Sequence, residues 1–222
     1  MHSQLSIVEI KPQAEHRHSI IWLHGLGADG HDFESIVPEL KLYSEPHIHF
    51  IFPDAPFRPI TINGGMTMRA WFDILELSHN IRVDIAEVNA SSQLIEQLIE
   101  DEIAQGIPPE QILLAGFSQG GAIALQVGLS YPRRLAGIVA LSTFLPTLEQ
   151  LKTGLSAANQ DIPVFIAHGI LDSVVAVEFG KKTSDQLQAW GYPVEWCDFM
   201  MDHSVCKEEV ERISWFIETI FR

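Results

Sequence analysis

One turn motif constrains this chain more than any other feature. The apolar run Ile112-Leu113-Leu114-Ala115 leads into Gly116-Phe117-Ser118-Gln119-Gly120, and a stretch of helix-forming residues follows. This order predicts a strand, a sharp turn that carries Ser118, and a helix. The glycines on either side permit the strained backbone of such a turn. The serine hydroxyl would project beside the start of the helix, where free N–H groups and the helix dipole favour negative charge.

Predicted strands and helices alternate along the rest of the chain. Apolar runs predict further strands at residues 5–10, 19–23, 48–52, 135–141, 162–167 and 194–199. Other patterns predict helices at 32–42, 84–105 and 147–158, with a last helix that opens at His203. Such alternation favours the α/β class, with a mostly parallel central sheet and helices on both faces. The 222 residues, 46% of them hydrophobic, fit one domain that covers residues 1–222.

Residues 53–83 depart from this pattern. Three prolines and two glycines interrupt the stretch, yet it also contains Trp71, Phe72 and other apolar residues. About thirty residues exceed the usual length of a loop in a compact domain, and the apolar content argues against disorder. The sequence predicts a long irregular segment that covers a pocket. Two other interpretations of this segment stay open: a loop that only packs on the core, and a surface that pairs two copies in a homodimer.

The charge of the chain narrows its classes of partner. Fourteen Lys and Arg stand against 29 Asp and Glu, which gives a formal net charge of −15. This charge opposes binding to nucleic acid and to anionic membrane surfaces. The first residues lack the regions of a secretion signal, and no apolar run reaches the length of a membrane span. Cys197 and Cys206 imply neither a disulfide framework nor a zinc site. We therefore expect a cytoplasmic protein with no nucleic-acid partner and no integral membrane association.

Ser118 needs two partners to act as a nucleophile. A serine hydroxyl requires an imidazole to accept its proton and a carboxylate to hold that imidazole in the useful tautomer. In folds with this turn, the chain order is serine, acid, histidine. Only His168 and His203 follow Ser118. With His168 as the base, the acid would be Glu149 or Asp161, and neither is well placed at the end of a strand.

His203 as the base has a better-placed acid in Asp172. Asp172 lies in a loop after one predicted strand, and His203 follows another. Two other carboxylates compete for the role. Asp198 lies within or at the end of its own strand, and Asp202 adjoins His203, where neighbouring side chains usually point apart. The sequence therefore predicts Ser118, Asp172 and His203 as nucleophile, acid and base.

A second glycine turn indicates where an oxyanion would bind. The predicted strand at 19–23 ends at His24-Gly25-Leu26-Gly27, and glycines in such a turn allow a backbone N–H to face the reacting centre. We predict the amides of Leu26 and Gln119 as the oxyanion donors. His24 is interpreted as a structural hydrogen-bonding residue.

Taken together, these motifs resemble those of the phospholipase/carboxylesterase group of α/β-hydrolases, whose bacterial carboxylesterases are similar to acyl-protein thioesterases. The matching segments are Leu23–Gly30, Pro53–Pro59, Thr61–Met66, Arg69–Asp73, Gly116–Ala122, His168-Gly169 with Asp172, and His203–Val205 with Glu208-Glu209. The resemblance implies an α/β-hydrolase fold, the same triad and the same oxyanion donors. It also implies a serine hydrolase that uses neither a metal nor another cofactor.

The resemblance further implies the class of substrate. Carboxylic esters with short to medium acyl chains are expected, and acyl-thioesters, lysophospholipids or acylated proteins are further candidates. The pocket residues that we predict are Trp71, Phe144, Leu145, Leu171 and Val174. Ser173 and Thr143 stand where the family commonly has a proline and a glycine. These two departures leave the acyl-chain preference open.

Three other functions are compatible with parts of this sequence. A hydrolase-like binding protein without turnover is the main alternative, because this fold sometimes loses activity. Such loss usually removes the nucleophile or the base, and both are present here. A metallohydrolase would show ligand spacings such as His-Glu-x-x-His, which the sequence lacks. Peptidase action stays open, because the same catalytic groups can cleave amides.

Overall fold

A computed structural model of the chain describes residues 5–42, 46–78 and 80–222. Its strands are β1 (Ile7–Ile10), β2 (His18–Leu23), β3 (Ile48–Pro53), β4 (Phe57–Ile60), β5 (Met66–Arg69), β6 (Ile74–Leu77), β7 (Ile81–Val83), β8 (Ile112–Phe117), β9 (Gly137–Leu141), β10 (Val164–Gly169) and β11 (Val194–Phe199). Seven of them form one sheet in the order β1-β3-β2-β8-β9-β10-β11. β1 runs antiparallel to β3, and every other pair in this sheet is parallel.

Helices cover both faces of the sheet. They are α1 (Ile36–Leu40), α2 (Ile85–Ala104), α3 (Gln119–Ser130), α4 (Leu148–Gly154), α5 (Val177–Ala189) and α6 (Lys207–Phe221). One buried apolar cluster joins α2 and α3 to the sheet, and a second joins α1 and α6 to the opposite face. The predicted α/β fold with a mostly parallel sheet is confirmed. Within the described residues, no helix combines the length and the apolar character that crossing a bilayer would require.

Residues 53–83 are more regular than predicted. Two small antiparallel hairpins, β4 with β5 and β6 with β7, take the place of the expected irregular segment. The first hairpin turns at Gly64 and Gly65, whose φ angles of 65° and 78° are readily adopted only by glycine. Strands of three or four residues are too short to show a clear alternation of apolar residues, so the sequence pattern missed them. Residues 1–4 and His79, which belong to predicted regions, lie outside the described residues.

The helix predictions need three corrections. The helix predicted at 32–42 is reduced to the five residues of α1, and the one predicted at 147–158 ends at Gly154. The last helix opens at Lys207, so His203 lies in the preceding loop. Glu208 and Glu209 occupy the first turn of α6, where the helix dipole favours acidic residues. Those two carboxylates mark the true start of the helix.

The carboxyl ends of the parallel strands bring the predicted loops together. His24 follows β2, Ser118 follows β8, and Asp172 follows β10. Since β2, β8, β9, β10 and β11 are parallel neighbours, their carboxyl ends lie at one edge of the sheet. That edge is where ligands bind in open α/β sheets.

Candidate active site

Ser118 occupies the sharp turn between β8 and α3. Its backbone angles, φ 53° and ψ −119°, are rare for a residue other than glycine. The Ser118 N–H donates to the carbonyl of Leu141 at 2.8 Å, and the Ser118 carbonyl accepts from Thr143 Oγ1 at 2.6 Å. The residues around β9 therefore hold this strained turn in place.

Two glycines allow the serine turn to pack closely on its neighbours. A methyl group at Gly116 would collide with the main chain of Gly120, and one at Gly120 would collide with the carbonyls of Leu23 and His24. The backbone of α3 thus lies directly against the end of β2. This contact brings the serine turn next to the loop that contains Leu26.

Asp172 and His203 form a hydrogen-bonded pair. Asp172 Oδ2 lies 2.7 Å from His203 Nδ1, and Asp172 Oδ1 accepts the N–H groups of Val174 and Val175 at 2.9 and 2.8 Å. Burial alone would raise the pKa of Asp172. Hydrogen bonds from two imidazoles and a backbone N–H outweigh this effect and hold that pKa well below its usual range. An ionised Asp172 keeps a proton on His203 Nδ1, which leaves Nε2 able to accept another proton.

Ser118 and His203 line the same cavity. The cavity has a volume of about 280 Å³ and opens at the carboxyl edge of the sheet. The ring of His203 packs on the ring of Phe117, the neighbour of Ser118, with 4.7 Å between the ring centroids. In the described part of the chain, the Ser118 hydroxyl makes no hydrogen bond to His203. Such a bond is often long until a substrate is bound.

The two predicted oxyanion donors also border this cavity. Leu26 and Gln119 both line it, and neither N–H donates to another described group. Gln119 is the first residue of α3, so its N–H is one of the free donors at the start of the helix. His24 is buried: Nε2 accepts the Ala55 N–H at 3.0 Å, and Nδ1 donates to the Gly25 carbonyl at 2.7 Å. His24 is therefore neutral and supports its loop, in agreement with the interpretation from sequence.

Trp71 supports the site and does not line the cavity, contrary to the prediction. Its side chain is fully buried, and Nε1 donates to the His24 carbonyl at 3.0 Å. The Gln119 side chain holds the same segment, because Oε1 accepts the Trp71 N–H and Nε2 donates to the Phe72 carbonyl, both at 2.6 Å. The aromatic character of Trp71 suggested a pocket wall. These hydrogen bonds between distant residues left no pattern in the sequence.

The other predicted pocket residues occupy different places. Phe144 and Val174 line the cavity that Ser118 and His203 share. Leu145 lines a neighbouring cavity of about 550 Å³ that shares Phe144 with the first, and Leu171 lies on the surface with 59% of its area exposed. Four further apolar residues, which were not among those predicted, complete the wall: Ile62, Ile74, Leu77 and Val175. Three of these four come from the hairpin segment, whose short strands were not recognised.

His168 and Asp202 hold the loops that carry the pair. His168 is fully buried, and its Nε2 lies 2.8 Å from the Val175 carbonyl and 3.3 Å from Asp172 Oδ2. Asp202 Oδ1 accepts the N–H groups of Ser173 and His203, each at 2.8 Å. Asp202 therefore ties the two loops together and does not contact the imidazole. Asp198, the other competing acid, is exposed.

Comparisons with known proteins agree with this architecture. The sequence model of the phospholipase/carboxylesterase family matches residues 5–221. An acyl-protein thioesterase 1 from Cryptococcus neoformans is 37% identical over 243 residues, covering 99% of this chain and 100% of the relative. The crystal structure of SOBER1 from Arabidopsis thaliana superposes with a TM-score of 0.89 at 32% identity, covering 93% of this chain and 100% of that one.

A second crystal structure extends the likeness. Acyl-protein thioesterase 2 from Zea mays superposes with a TM-score of 0.86 at 28% identity, covering 98% of this chain and 99% of the maize chain. The family match spans nearly the whole chain, and the relatives are covered over their full length or close to it. The chain therefore belongs to the phospholipase/carboxylesterase family and is a serine hydrolase with the α/β-hydrolase fold.

Proposed function

We propose that this hydrolase cleaves acyl esters and thioesters by a two-step transfer through Ser118, His203 and Asp172. The observation that carries the proposal is the 2.7 Å contact between Asp172 Oδ2 and His203 Nδ1 beside a cavity that His203 shares with Ser118. This contact orients the imidazole so that Nε2 is the basic atom. The strained serine turn and the two free amides complete a constellation for acyl transfer.

In the first step, Ser118 Oγ attacks the carbonyl carbon of the substrate while His203 Nε2 accepts the hydroxyl proton. The carbonyl oxygen becomes an oxyanion, which accepts hydrogen bonds from the amides of Leu26 and Gln119. As the tetrahedral intermediate collapses, His203 donates its proton to the leaving alcohol or thiol, and an acyl-Ser118 ester remains. Water then attacks this ester with the same base and donors, which releases the carboxylic acid and restores the serine.

The cavity supports short to medium acyl chains. Its volume of about 280 Å³ is at the small end of ligand pockets, which span about 300–1,000 Å³. Most of its wall away from Ser118 and His203 is apolar, as an alkyl chain requires, and Asp32 and Asn63 add two polar groups. Relatives named acyl-protein thioesterase support thioesters and acylated proteins as substrates. Lysophospholipids, a cytoplasmic location and a homodimer stay predictions from the sequence.

Ser118→Ala tests the proposal. We expect this variant to fold normally by circular dichroism and to lose at least about 10⁴-fold in turnover of a p-nitrophenyl ester. Ser130→Ala, at the other end of α3, is the matched control and should keep full activity. Labelling by a fluorophosphonate probe should occur in the wild type and the control alone. Ester hydrolysis by folded Ser118→Ala at the wild-type rate would sink the assignment, and an unlabelled, inactive wild type would favour a binding protein.

A panel of substrates tests which class of acyl compound the enzyme cleaves. We expect p-nitrophenyl esters of two to eight carbons to be cleaved fastest, with an acyl-thioester also cleaved and a lysophospholipid compared beside them. A rate that keeps rising with chain length beyond the capacity of the cavity would contradict the preference that we infer from its size.

A further inference from the structure

A second group of polar side chains is buried at the opposite edge of the sheet from Ser118. His16 precedes β2, His49 lies near the start of β3, and Glu102 lies near the end of α2. Glu102 and His49 are buried, and His16 is partly buried. One nitrogen of each histidine and one oxygen of the carboxylate lie within 4.8 Å of one another. The proposed acyl transfer uses none of these groups.

The distances in this cluster fit a tetrahedral cation. His16 Nε2 and His49 Nδ1 each lie 3.4 Å from Glu102 Oε2. Ligand atoms in a tetrahedral zinc site with bonds of about 2.0–2.1 Å are separated by about 3.4 Å. The two nitrogens are at most 4.8 Å apart, so they need to approach by no more than about 1.4 Å to reach this spacing. Two imidazoles and one carboxylate also form a ligand set that zinc accepts.

The surroundings orient these groups as they would around a bound metal. Among the described groups, His49 Nε2 has no hydrogen-bond partner, and it lies 3.5 Å from Glu9 Oε1. A carboxylate behind the second nitrogen of a histidine is typical of metal-ligating histidines. The other oxygen of Glu102, Oε1, accepts from Gln105 Nε2 at 2.9 Å, which leaves Oε2 for the cluster.

Ser19 closes the remaining side of the cluster. It pairs with His49 in the register of β2 and β3, so the two side chains lie on the same face of the sheet. Ser19 Oγ donates to Glu102 Oε2 at 2.5 Å and lies 2.9 Å from His16 Nε2. A polar oxygen therefore lies beside two of the three ligand atoms, where it could hold a metal-bound water.

The charge of the cluster also favours a cation. Among the described residues, neither Glu9 nor Glu102 forms an ion pair with a lysine or an arginine. The close partners of Glu102 Oε2 are Ser19 and two imidazoles, which carry a positive charge only when protonated, and a divalent ion would supply that charge with the imidazoles neutral. A cavity of about 250 Å³ is lined by Glu9, Glu102 and Gln105, so it reaches one of the three ligand residues and the carboxylate behind His49.

We infer that His16 Nε2, His49 Nδ1 and Glu102 Oε2 bind one zinc(II) ion, with a water beside Ser19 as the fourth ligand. The ion would link the loop before β2 to β3 and α2, and so stabilise the edge of the sheet remote from catalysis. This site is independent of the proposed ester hydrolysis.

Zinc binding to the chelator-treated full-length protein tests the site. Competition with a chromophoric chelator should give one tight equivalent for the wild type. His49→Gln should weaken this binding at least about 100-fold, while His31→Gln, which changes an exposed histidine elsewhere, should not. Zinc should raise the melting temperature of the wild type and of His31→Gln, and it should leave that of His49→Gln unchanged.

Two further variants keep the outcome decisive. His203→Ala should retain the zinc equivalent, and its loss in that variant would show that the ion binds the catalytic histidine and overturn the inference. Glu9→Gln keeps all three ligands and should lower affinity about 10-fold, which provides a test even where His49→Gln does not fold. If the wild type binds zinc no more tightly than the folded ligand variants do, the cluster is only a hydrogen-bond network and the inference is wrong. Ester turnover at 25 °C reports on Ser118 separately, so each proposal can fail alone.

Discussion

Replacing Asp172 with asparagine tests the catalytic arrangement more sharply than any truncation. Asp172 Oδ1 accepts two backbone N–H groups, from Val174 and Val175, so the oxygen of an asparagine must take that position. The amide NH₂ group then faces His203 Nδ1 across a distance of 2.7 Å. An NH₂ group can only donate, so it forces the imidazole proton onto Nε2. A protonated Nε2 cannot accept the proton of Ser118.

The size of the effect follows from what this change removes. Side-chain volume and both backbone hydrogen bonds are kept, and His168, which loses its 3.3 Å contact with Oδ2, keeps the Val175 carbonyl as an acceptor, so the fold should persist. The correct tautomer and the charge that stabilises the imidazolium are lost, and in serine proteases this loss lowers kcat by about 10⁴. At about 1.36 kcal/mol for each factor of ten, the variant loses about 5 kcal/mol of transition-state stabilisation. KM for a p-nitrophenyl ester should change little, because the cavity lining does not include Asp172.

Steady-state kinetics of Asp172→Asn and Asp198→Asn check this reasoning. Asp198 is exposed and was the competing acid, so its variant should keep wild-type kcat. A kcat for Asp172→Asn within tenfold of wild type, with Ser118→Ala inactive, would refute the tautomer argument. The wild type and Asp172→Asn should also differ in how their free energy of unfolding changes at low pH. The lowered pKa of Asp172 stabilises the fold above the unfolded value of about 3.9, and this stability is lost as the pH falls below it. Asp172→Asn should therefore lose less stability between pH 5 and pH 2.

Three other changes have defined outcomes. Phe144→Ala opens the catalytic cavity towards its larger neighbour and should shift the preferred ester to a longer chain, whereas Leu145→Ala, which enlarges only the neighbour, should not. Gly120→Ala forces a methyl group onto two carbonyls and should lower the urea midpoint and abolish activity, while Gly154→Ala, with open space around it, should do neither. Burial raises the pKa of Glu209 to about 8, so the native state keeps a proton that the unfolded chain releases near 4.3. The free energy of unfolding should therefore fall as the pH rises from 4.3 to 8, and urea titrations of Glu209→Gln should lack this fall.

The turn at Ser118 and the edge of the sheet at which it lies were predictable from the sequence because the signals are local. The apolar run before Ser118 and the glycines around it specify a strand, a turn and a helix within a dozen residues. Loops after predicted strands then placed Asp172 and His203 at the same edge, since parallel strands end together. The structure brings these residues together as the loop argument required.

Contacts between distant segments could not be predicted from the sequence, because they leave no local pattern. The apolar wall depends on Ile62, Ile74 and Leu77, which lie in strands or turns too short for a periodic signal. The link from Gln119 to Trp71 spans 48 residues and uses ordinary amide groups.

The cluster of two histidines and Glu102 at the opposite edge was also not predicted, because it too joins distant segments of the chain. His16, His49 and Glu102 have no characteristic spacing, and only the pairing of β2 with β3 under α2 brings them together. A search for ligand motifs in the sequence finds sites within one loop or one helix, and it misses sites assembled by a sheet.

Gln119 connects the cavity to the segment that lies behind it. Its backbone N–H is one of the two oxyanion donors that we propose, and its side chain accepts the Trp71 N–H and donates to the Phe72 carbonyl in the segment behind the cavity. A displacement of this segment would therefore also displace the first turn of α3, which carries the Gln119 N–H. Its effect would appear in the rate of bond cleavage as much as in the strength of substrate binding.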